Sequence, residues 1–242
     1  MEGPRPTHRQ LTALRLNVSD HPRAIRSFVT RAGRITPAQE RALQMLWPKY
    51  GLAPQGPLDL DDVFGRAAPR TAEVGFGNGE NLLALAAAHP ERDYLGIEVH
   101  RPGVGRVLLA IEERSLSNVR VICHDAVEVL ERHLPPASLE EILVLFPDPW
   151  PKKRHHKRRL IQSPFVALLA ERLKLGGRVH LATDWSAYAE EMLTVLAAET
   201  RLRNLSPTGT FVSRPEERAA TRFERRGERL GHGVWDLDFV RI

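Results

Sequence analysis

The segment Thr71-Ala-Glu-Val-Gly-Phe-Gly-Asn-Gly-Glu80 decides the fold, because it joins a short apolar strand to a helix through a glycine-rich turn. Glycines let the backbone turn tightly and let a ligand approach more closely than a Cβ would permit. In the dinucleotide-binding pattern the third glycine would fall at position 80, which here is Glu. That carboxylate would repel a pyrophosphate at the helix N-terminus. The loop therefore predicts a ligand without phosphate and excludes a nicotinamide dinucleotide.

Short apolar strands alternate with helices from residue 71 onward. We predict strands at 71–75, 93–98, 119–123, 140–146 and 178–183, and helices near 80–89, 102–114, 126–132, 158–174 and 185–198. The segment 231–240 resembles a closing strand, which we expect to be antiparallel and at the sheet edge. Strands separated by helices of this length indicate an α/β fold with a doubly wound, mostly parallel sheet, Rossmann-like and with seven strands.

The first 70 residues differ in composition from the rest of the chain. They are rich in arginine and contain one predicted helix, from Thr36 to the residue before Pro48. Residues 52–69 are rich in Pro, Gly and Asp and are expected to form a connection. We therefore predict a basic N-terminal extension over 1–70 and an α/β domain over 71–242.

Positive charge is concentrated in two places, although the net charge of the 242-residue chain is only +5. Residues 1–50 hold nine Lys/Arg against three Asp/Glu, and residues 152–159 hold six against none. Two basic patches on a near-neutral body indicate a polyanionic partner such as nucleic acid. A solvated basic tail accounts for the N-terminal patch equally well.

Other compositional features concern the compartment. The single cysteine, Cys123, cannot form an internal disulfide, which favours a reducing cytoplasm. The sequence has no apolar run of membrane-spanning length and no signal-peptide pattern. We therefore expect a cytoplasmic location and no membrane partner. Composition does not distinguish a monomer from a homodimer, and the His, Asp and Glu spacing predicts no metal site.

Acidic residues mark the ends of three successive predicted strands. Glu73 precedes the glycines, Glu98 follows them by about 20 residues, and Asp125 ends the third strand before Ala126. Any one of these acids could serve at the surface or cap a helix. Together they surround the glycine loop and predict a cleft for a cationic, adenosine-bearing ligand, S-adenosylmethionine. The predicted cofactor residues are Glu73, Gly75, Gly77, Gly79, Glu98, Asp125, Ala126 and Asp148.

The loop after the fourth predicted strand carries a second signal, Phe146-Pro-Asp-Pro-Trp-Pro-Lys-Lys-Arg-His-His-Lys-Arg-Arg159. Two prolines fix φ on either side of Asp148, so its carboxylate is presented at low entropic cost. Trp150 is suited to stacking on a base, and the adjacent charges are suited to a phosphate backbone. We therefore predict that nucleic acid binds at Asp148, next to the transferable methyl group.

The motifs of this chain resemble those of bacterial tRNA (guanine-N7-)-methyltransferases over nearly the whole sequence. The resemblance rests on 146–159, on the glycine loop, on 26–34 and 182–185, and on a C-terminal motif spanning 221–235. It implies methylation of tRNA guanosine at variable-loop position 46, with Asp148 as the catalytic residue. It also implies substrate contacts from Lys152, Asp184, Thr221, Arg222, Phe223 and Glu224, and RNA contacts from Arg154, His155, His156, Lys157, Arg158 and Arg159.

Guanine N7 already carries an in-plane lone pair, so this reaction requires alignment and charge stabilisation but no proton abstraction. Asp148 and Asp184 are suited to accept hydrogen bonds from the guanine N1–H and amino group, which strengthen as the ring becomes cationic. Asp184 also suits the N-cap of the following helix. For His155 and His156, phosphate contact or solvation fits better than general-base catalysis.

Two other functions have some support in the same residues. Methylation of an exocyclic base amine uses an Asp-Pro-Pro-aromatic loop, whereas here Trp150 follows Asp148-Pro149 directly. A non-catalytic RNA-binding protein on a methyltransferase fold is expected to lose the glycines or the strand-end acids, and this chain retains them. Methyl transfer to guanine N7 therefore remains the leading hypothesis.

Overall fold

The computed structural model describes residues 26–28, 34–216, 218, 224 and 233–242. Within these ranges eight strands form one sheet in the order β1-β4-β3-β2-β5-β6-β8-β7. Pairing is parallel from β1 through β6, whereas β8 is antiparallel to both β6 and β7. The strands are β1 (Gly51–Leu52), β2 (Arg70–Val74), β3 (Asp93–Ile97), β4 (Val119–Ile122), β5 (Leu139–Leu145), β6 (Leu173–Thr183), β7 (Leu202–Asn204) and β8 (Trp235–Arg241).

Helices cover both faces of the sheet. The α-helices are α1 (Pro37–Met45), α2 (Trp47–Tyr50), α3 (Leu60–Phe64), α4 (Glu80–Ala88), α5 (Arg101–Glu113), α6 (Ala126–Arg132), α7 (Ser163–Arg172) and α8 (Ser186–Ala197). A 3₁₀ helix, Lys153–Arg158, follows the loop after β5. None of the described helices is long and apolar enough to cross a lipid bilayer.

The central strand β5 shows why both faces need cover. Ile142 and Val144 point into a core shared with α3, α6, α7 and α8. Leu143 and Leu145 point to the opposite face, into a core shared with α1, α2, α4 and α5. Because side chains alternate across a strand, a run that is apolar at every position must be buried on both sides. This arrangement confirms the predicted doubly wound, mostly parallel sheet.

Three details differ from the sequence-based expectation. The sheet has eight strands among the described residues and not seven, and two short strands lie outside the predicted segments: Gly51–Leu52, parallel to β4, and Leu202–Asn204, antiparallel to β8. The closing strand β8 is antiparallel as predicted but does not lie at the edge, since Leu202–Asn204 pairs along its outer side. The connection 52–69 contains α3, whose N-cap Asp59 accepts two backbone N–H groups.

The helix predicted over 158–174 is divided into two. The 3₁₀ helix ends at Arg158, and α7 begins only at Ser163, with Pro164 in its first turn. Between them, the Gln162 side chain donates to the carbonyl oxygens of Lys157 and Arg159, at 3.2 and 2.9 Å. Pro164 has no backbone N–H, so it cannot continue a helix that precedes it. The two Gln162 bonds stabilise the turn that separates the two helices.

The helix predicted at Thr36 is confirmed and has a capping box. The hydroxyl of Thr36 accepts the N–H of Gln39 at 3.3 Å, and the Gln39 side chain accepts the N–H of Thr36 at 2.9 Å. This helix packs closely on α5, where a Cβ added at Gly105 would lie 2.8 Å from the carbonyl oxygen of Gln39. The division of the chain into 1–70 and 71–242 stays a prediction.

Candidate cofactor and nucleic-acid site

A cavity of about 380 Å³ opens at the carboxyl ends of β2, β3, β4 and β5. This is the edge at which open α/β sheets bind their ligands, and the volume suits a small-molecule site. Six of the eight predicted cofactor residues line it, namely Gly75, Gly77, Glu98, Asp125, Ala126 and Asp148. The fold therefore brings together residues that are up to 73 positions apart in sequence (148 minus 75).

The glycines divide into two roles. Gly75, Gly77 and Gly79 have φ values of 73°, 55° and 72°, the left-handed region that favours glycine. Among the described residues, no atom lies within 4 Å of a Cβ added at Gly75 or Gly77, both of which line the cavity. A Cβ at Gly79 would lie 2.3 Å from the Val107 side chain, so this glycine permits α4 to pack against α5 and does not line the cavity.

Glu98 fixes the shape of the glycine loop. One carboxylate oxygen accepts the N–H of Gly77 at 2.8 Å, and the other accepts the N–H groups of Val99 and His100 at 2.7 and 2.9 Å. The side chain is buried at the cavity wall. Hydrogen bonds to an ionised acceptor are among the stronger ones in proteins, so Glu98 ties the loop after β2 to the end of β3.

Asp125 caps α6 at the cavity wall. Its carboxylate accepts the N–H of Val127 at 3.0 Å, and the residue is buried. An N-cap acid is stabilised by the helix dipole, so this carboxylate is held in place at the cavity wall. Ala126, the first residue of α6, also lines the cavity, where its small side chain leaves room.

Glu73 lies behind the glycine loop and does not line the cavity. It is 3 % exposed, and its carboxylate accepts the Asn81 side-chain amide at 2.9 Å. Burial is the main cause that raises the pKa of Glu73 to about 7, with smaller contributions from the charges of Glu98 and Glu141, while the Asn81 bond opposes the shift. Its predicted contact with the cofactor stays a prediction.

The loop after β5 presents Asp148 in a strained frame. Asp148 is exposed at the mouth of the cavity, and on either side Phe146 and Trp150 have φ values of 52° and 44°. Bulky aromatic residues rarely adopt positive φ, so surrounding contacts must hold the loop. The Phe146 N–H donates to the carbonyl of Ala182 at 2.8 Å, and the Trp150 indole N–H donates to the carbonyl of Ser27 at 3.2 Å.

The 3₁₀ helix presents a basic surface next to this loop. Lys152, Lys153, Arg154 and Lys157 are exposed, whereas His155, His156 and Arg158 are half-buried. The Arg158 guanidinium lies 5.1 Å from the centre of the Trp150 ring, and His155 packs edge-on against the same ring. Partial desolvation, followed by the charges of Arg154 and Arg158, lowers the pKa of His155. Trp150 therefore packs against protein groups in this structure, and its stacking on a base stays a prediction.

Arg159 does not belong to this basic surface, although it was predicted to contact RNA. It is 3 % exposed, and its Nε donates to the carbonyl of Pro149 at 2.8 Å. Its guanidinium also pairs with Glu191 and lies 4.7 Å from the ring centre of Tyr188. The reason is local geometry: the chain turns inward after the 3₁₀ helix, and the last arginine of the run follows it into the core.

Asp184 follows directly after β6 and is half-buried. The alternative role as a helix cap is not found, because the N-cap of α8 is Trp185 and no side chain caps that helix. Lys152 is exposed at the start of the 3₁₀ helix. Neither residue lines the cavity, and their predicted substrate contacts stay predictions.

The C-terminal motif is described only in part. Thr221, Arg222 and Phe223 lie outside the described residues. Glu224 is buried and receives two hydrogen bonds from the guanidinium of Arg218, both at 2.8 Å. Arg218 also pairs with Asp236, so the side chain of Glu224 is linked to β8 through this guanidinium.

Several cavity or loop contacts escaped sequence reasoning. Phe28, His100 and His124 line the cavity, and the Arg218 guanidinium lies 5.6 Å from the Phe146 ring centre. His100 lies two residues after the strand-end acid Glu98, and His124 directly precedes the strand-end acid Asp125. These positions could have predicted that both histidines lie at the cavity. Phe28 and Arg218 reach the site through tertiary contacts that carry no local pattern. Across the described ranges, no group of three or more His, Cys, Asp or Glu side chains is placed to hold a metal ion.

Comparison with known proteins agrees with this geometry. Residues 67–237 match a family model described as "Putative methyltransferase". The tRNA (guanine-N(7)-)-methyltransferase of Alkalilimnicola ehrlichii is 60% identical over 218 residues, covering 89% of this chain and 92% of that protein. The enzymes of the same name from Leifsonia xyli subsp. xyli and Sodalis glossinidius are 59% and 56% identical, over 88% and 90% of this chain and 94% and 92% of their own lengths.

Solved structures with the same fold are more distant in sequence. The 16S rRNA methyltransferase KamB has a TM-score of 0.57 at 18% identity and covers 80% of this chain and 98% of its own. A 16S rRNA (adenine(1408)-N(1))-methyltransferase from Catenulisporales acidiphilia, solved with its cosubstrate SAM, has a TM-score of 0.51 at 18% identity, over 76% and 92%. At this identity the likeness shows the fold.

The parallel sheet, the glycine loop and the cavity at the strand ends form a Rossmann-like fold. The family model over residues 67–237 makes the chain a methyltransferase with this fold. The matches over most of the chain identify one family within this class. The chain belongs to the tRNA (guanine-N(7)-)-methyltransferase family.

Proposed function

We propose that this protein transfers the methyl group of S-adenosylmethionine to N7 of a guanine in tRNA, producing 7-methylguanosine. One observation carries the proposal: exposed Asp148 stands at the mouth of the glycine-loop cavity and next to the exposed basic surface of the 3₁₀ helix. The relatives named tRNA (guanine-N(7)-)-methyltransferase, at 54–60% identity, support this substrate and this reaction. Family resemblance supports the guanosine at position 46 of the variable loop as the target.

The residues at the strand ends fit the cofactor. Gly75 and Gly77 leave open space for close approach, and the carboxylates of Glu98 and Asp125 suit a cationic ligand with ribose hydroxyls. Bound here, S-adenosylmethionine supplies an electrophilic methyl group on a sulfonium centre. The proposal requires no metal ion.

The protein's task at the reacting end is alignment and charge stabilisation. Guanine N7 forms its new bond to the methyl carbon while the carbon–sulfur bond breaks and its electron pair stays on sulfur. Carboxylates at Asp148 and Asp184 would accept hydrogen bonds from the guanine N1–H and amino group, with Lys152 nearby. Those bonds strengthen as positive charge develops on the purine, so they favour the transition state over the bound substrate.

The exposed cations Lys152, Arg154 and Lys157 are suited to hold the tRNA backbone beside Asp148. His155 and His156 are half-buried on the same turn and fit phosphate contact. Since tRNA modification takes place in the cytoplasm of bacteria, we place the protein there, as a monomer or a homodimer.

One assay tests the proposal. The purified protein is incubated with methyl-labelled S-adenosylmethionine and an unmodified tRNA transcript, and the RNA is then reduced with borohydride and treated with aniline. Label transfer with strand scission is expected, because 7-methylguanosine is the base that this treatment cleaves. Label without scission would exclude N7 as the acceptor, and no transfer at all would favour a non-catalytic RNA-binding protein.

A further inference from the structure

The last arginine of the basic run differs from the other cations in its surroundings. Arg159 is 3 % exposed, whereas Lys152, Lys153, Arg154 and Lys157 are exposed. A charged side chain is rarely buried in this way unless it is paired and hydrogen-bonded. The contacts that stabilise it therefore indicate what it does.

Its partners come from two different elements. On one side, Nε donates to the carbonyl of Pro149 at 2.8 Å, in the loop that presents Asp148. On the other side, Nη1 pairs with Glu191 of α8, and the guanidinium lies 4.7 Å from the ring centre of Tyr188 on the same helix. The Tyr188 hydroxyl in turn accepts the N–H of Ile161 at 3.1 Å. One planar group thus joins the loop to the helix.

The two anchor points belong to the segments that carry the two candidate guanine-binding acids: Tyr188 and Glu191 follow Asp184 by four and seven residues. Pro149 directly follows Asp148, and α8 begins at Ser186, two residues after Asp184. The loop also has left-handed backbone at Trp150, with φ of 44°, which must be held by surrounding contacts. The Arg159 side chain connects both of these segments at once.

We propose that Arg159 is a positioning residue, which fixes the loop of Asp148 relative to α8 and so sets the spacing between the carboxylates of Asp148 and Asp184. This inference rests on the proposed function, because it assigns both acids to one guanine. Lysine cannot replace it, since an ammonium group lacks the planar fork that reaches the Pro149 carbonyl and Glu191 together. Arg159 therefore acts through the loop and not on RNA.

The test compares Arg159→Lys with Lys157→Ala, a neighbouring exposed cation. For Arg159→Lys we expect kcat at saturating tRNA to fall about 100-fold, because a displacement of about 1 Å costs that much. The Kd for tRNA and its salt dependence should stay within about twofold of the parent. Lys157→Ala should instead weaken tRNA binding and reduce the salt slope by about 0.7–0.9.

A second variant covers the case in which Arg159→Lys does not fold. Glu191→Gln removes the charge on the other side of the bridge from a partly exposed position, and Glu190→Gln changes an exposed neighbour on the same helix as its control. We expect Glu191→Gln to lower kcat about tenfold, with tRNA affinity unchanged, and Glu190→Gln to change neither.

Two results would overturn the inference. A weaker Kd for tRNA with normal kcat in Arg159→Lys, or a reduced salt slope with normal kcat in Arg159→Gln, which removes the charge, would make Arg159 an RNA contact. Parental values of kcat in both Arg159→Lys and Glu191→Gln would leave the bridge without a role. Failure of the proposed function is recognised separately, because the parent protein would then transfer no methyl group to tRNA. In that case a parental salt slope in Arg159→Gln still excludes the RNA contact.

Discussion

The two halves of the site are built in different ways. On the cofactor side, functional groups are fixed by neighbours in the backbone: Glu98 accepts the N–H groups of Gly77, Val99 and His100, and Asp125 caps its own helix. On the substrate side, the Asp148 loop depends on side-chain contacts that reach distant segments. Trp150 donates to Ser27, 123 residues away, and Arg159 bridges to Glu191, 32 residues away.

This difference indicates how each half is expected to respond to change. A site held by backbone N–H groups is pre-organised by the fold itself, so its shape is set once the strands pair. A strained loop held by arginine and indole contacts keeps its geometry only while those contacts are intact. Variants should therefore separate the halves, with cofactor binding and stability affected on one side and turnover and tRNA binding on the other.

The largest effect is expected at Asp148 on the substrate side. Asp148→Ala should lower methyl transfer by a factor of about 10²–10³, because it removes an acceptor that strengthens in the transition state. The side chain is exposed, so the free energy of unfolding should change by less than about 0.5 kcal/mol. Single-turnover transfer and urea unfolding measure the two quantities, with Glu190→Ala as the exposed control. Turnover at the parental rate would contradict the assigned role.

The next effect concerns stability on the cofactor side. The pKa of Glu73 is raised from 4.5 to about 7 by burial. A raised folded-state pKa means that the protonated acid contributes stability below pH 4.5, and that this contribution is lost as pH rises through 7. Glu73→Gln mimics the protonated form and can keep the bond from Asn81. Relative to the parent, the variant should gain up to about 3 kcal/mol between acid and mildly alkaline pH.

Urea unfolding without cofactor, at pH values on either side of this window, measures that gain. Glu113→Gln, an exposed substitution at the end of α5, is the control and should show no such trend. A difference between Glu73→Gln and the parent that is constant with pH would show that the carboxylate of Glu73 titrates normally.

The smallest of the three effects should appear at Glu98. Glu98→Gln removes the charge and replaces one accepting oxygen with an NH2 group, so at least one of the three backbone N–H groups loses its acceptor. This should cost about 2 kcal/mol of unfolding free energy. Binding of S-adenosylhomocysteine, measured by calorimetry, should weaken as well, while tRNA affinity should not change. If tRNA affinity fell and cofactor affinity did not, the two halves would not be separable in the way described.

The fold was largely predictable because its signals are local. The apolar runs of β2, β3 and β5, the glycine turn and the Thr36 capping box each lie within a few residues. The missed strands are two and three residues long, too short to show a periodic pattern, and they are held by pairing with β4 and β8. The misplaced edge has the same cause, since β7 was not predicted.

The site shows the same division. Six of the eight residues that the sequence predicted for the cofactor line one cavity, because parallel strands bring their carboxyl ends to one edge. For Arg159 the sequence predicted an RNA contact, which stays a prediction, but it did not predict that the side chain is buried, since a charge run does not reveal where the chain turns inward. The links from Arg218 to Phe146 and from Trp150 to Ser27 join distant segments, which no local pattern indicates.

The central claim is that the cofactor side supplies the methyl group to the same guanine that the substrate side binds. Mapping the modified base tests this claim most directly. A full-length tRNA transcript and a matched transcript with position 46 changed to adenosine are each incubated with the protein and S-adenosylmethionine, reduced, treated with aniline and resolved by length. We predict a single cleavage at position 46 of the first transcript, absent from the second and absent with Asp148→Ala. Cleavage at another guanosine, or methylation without cleavage, would contradict the account.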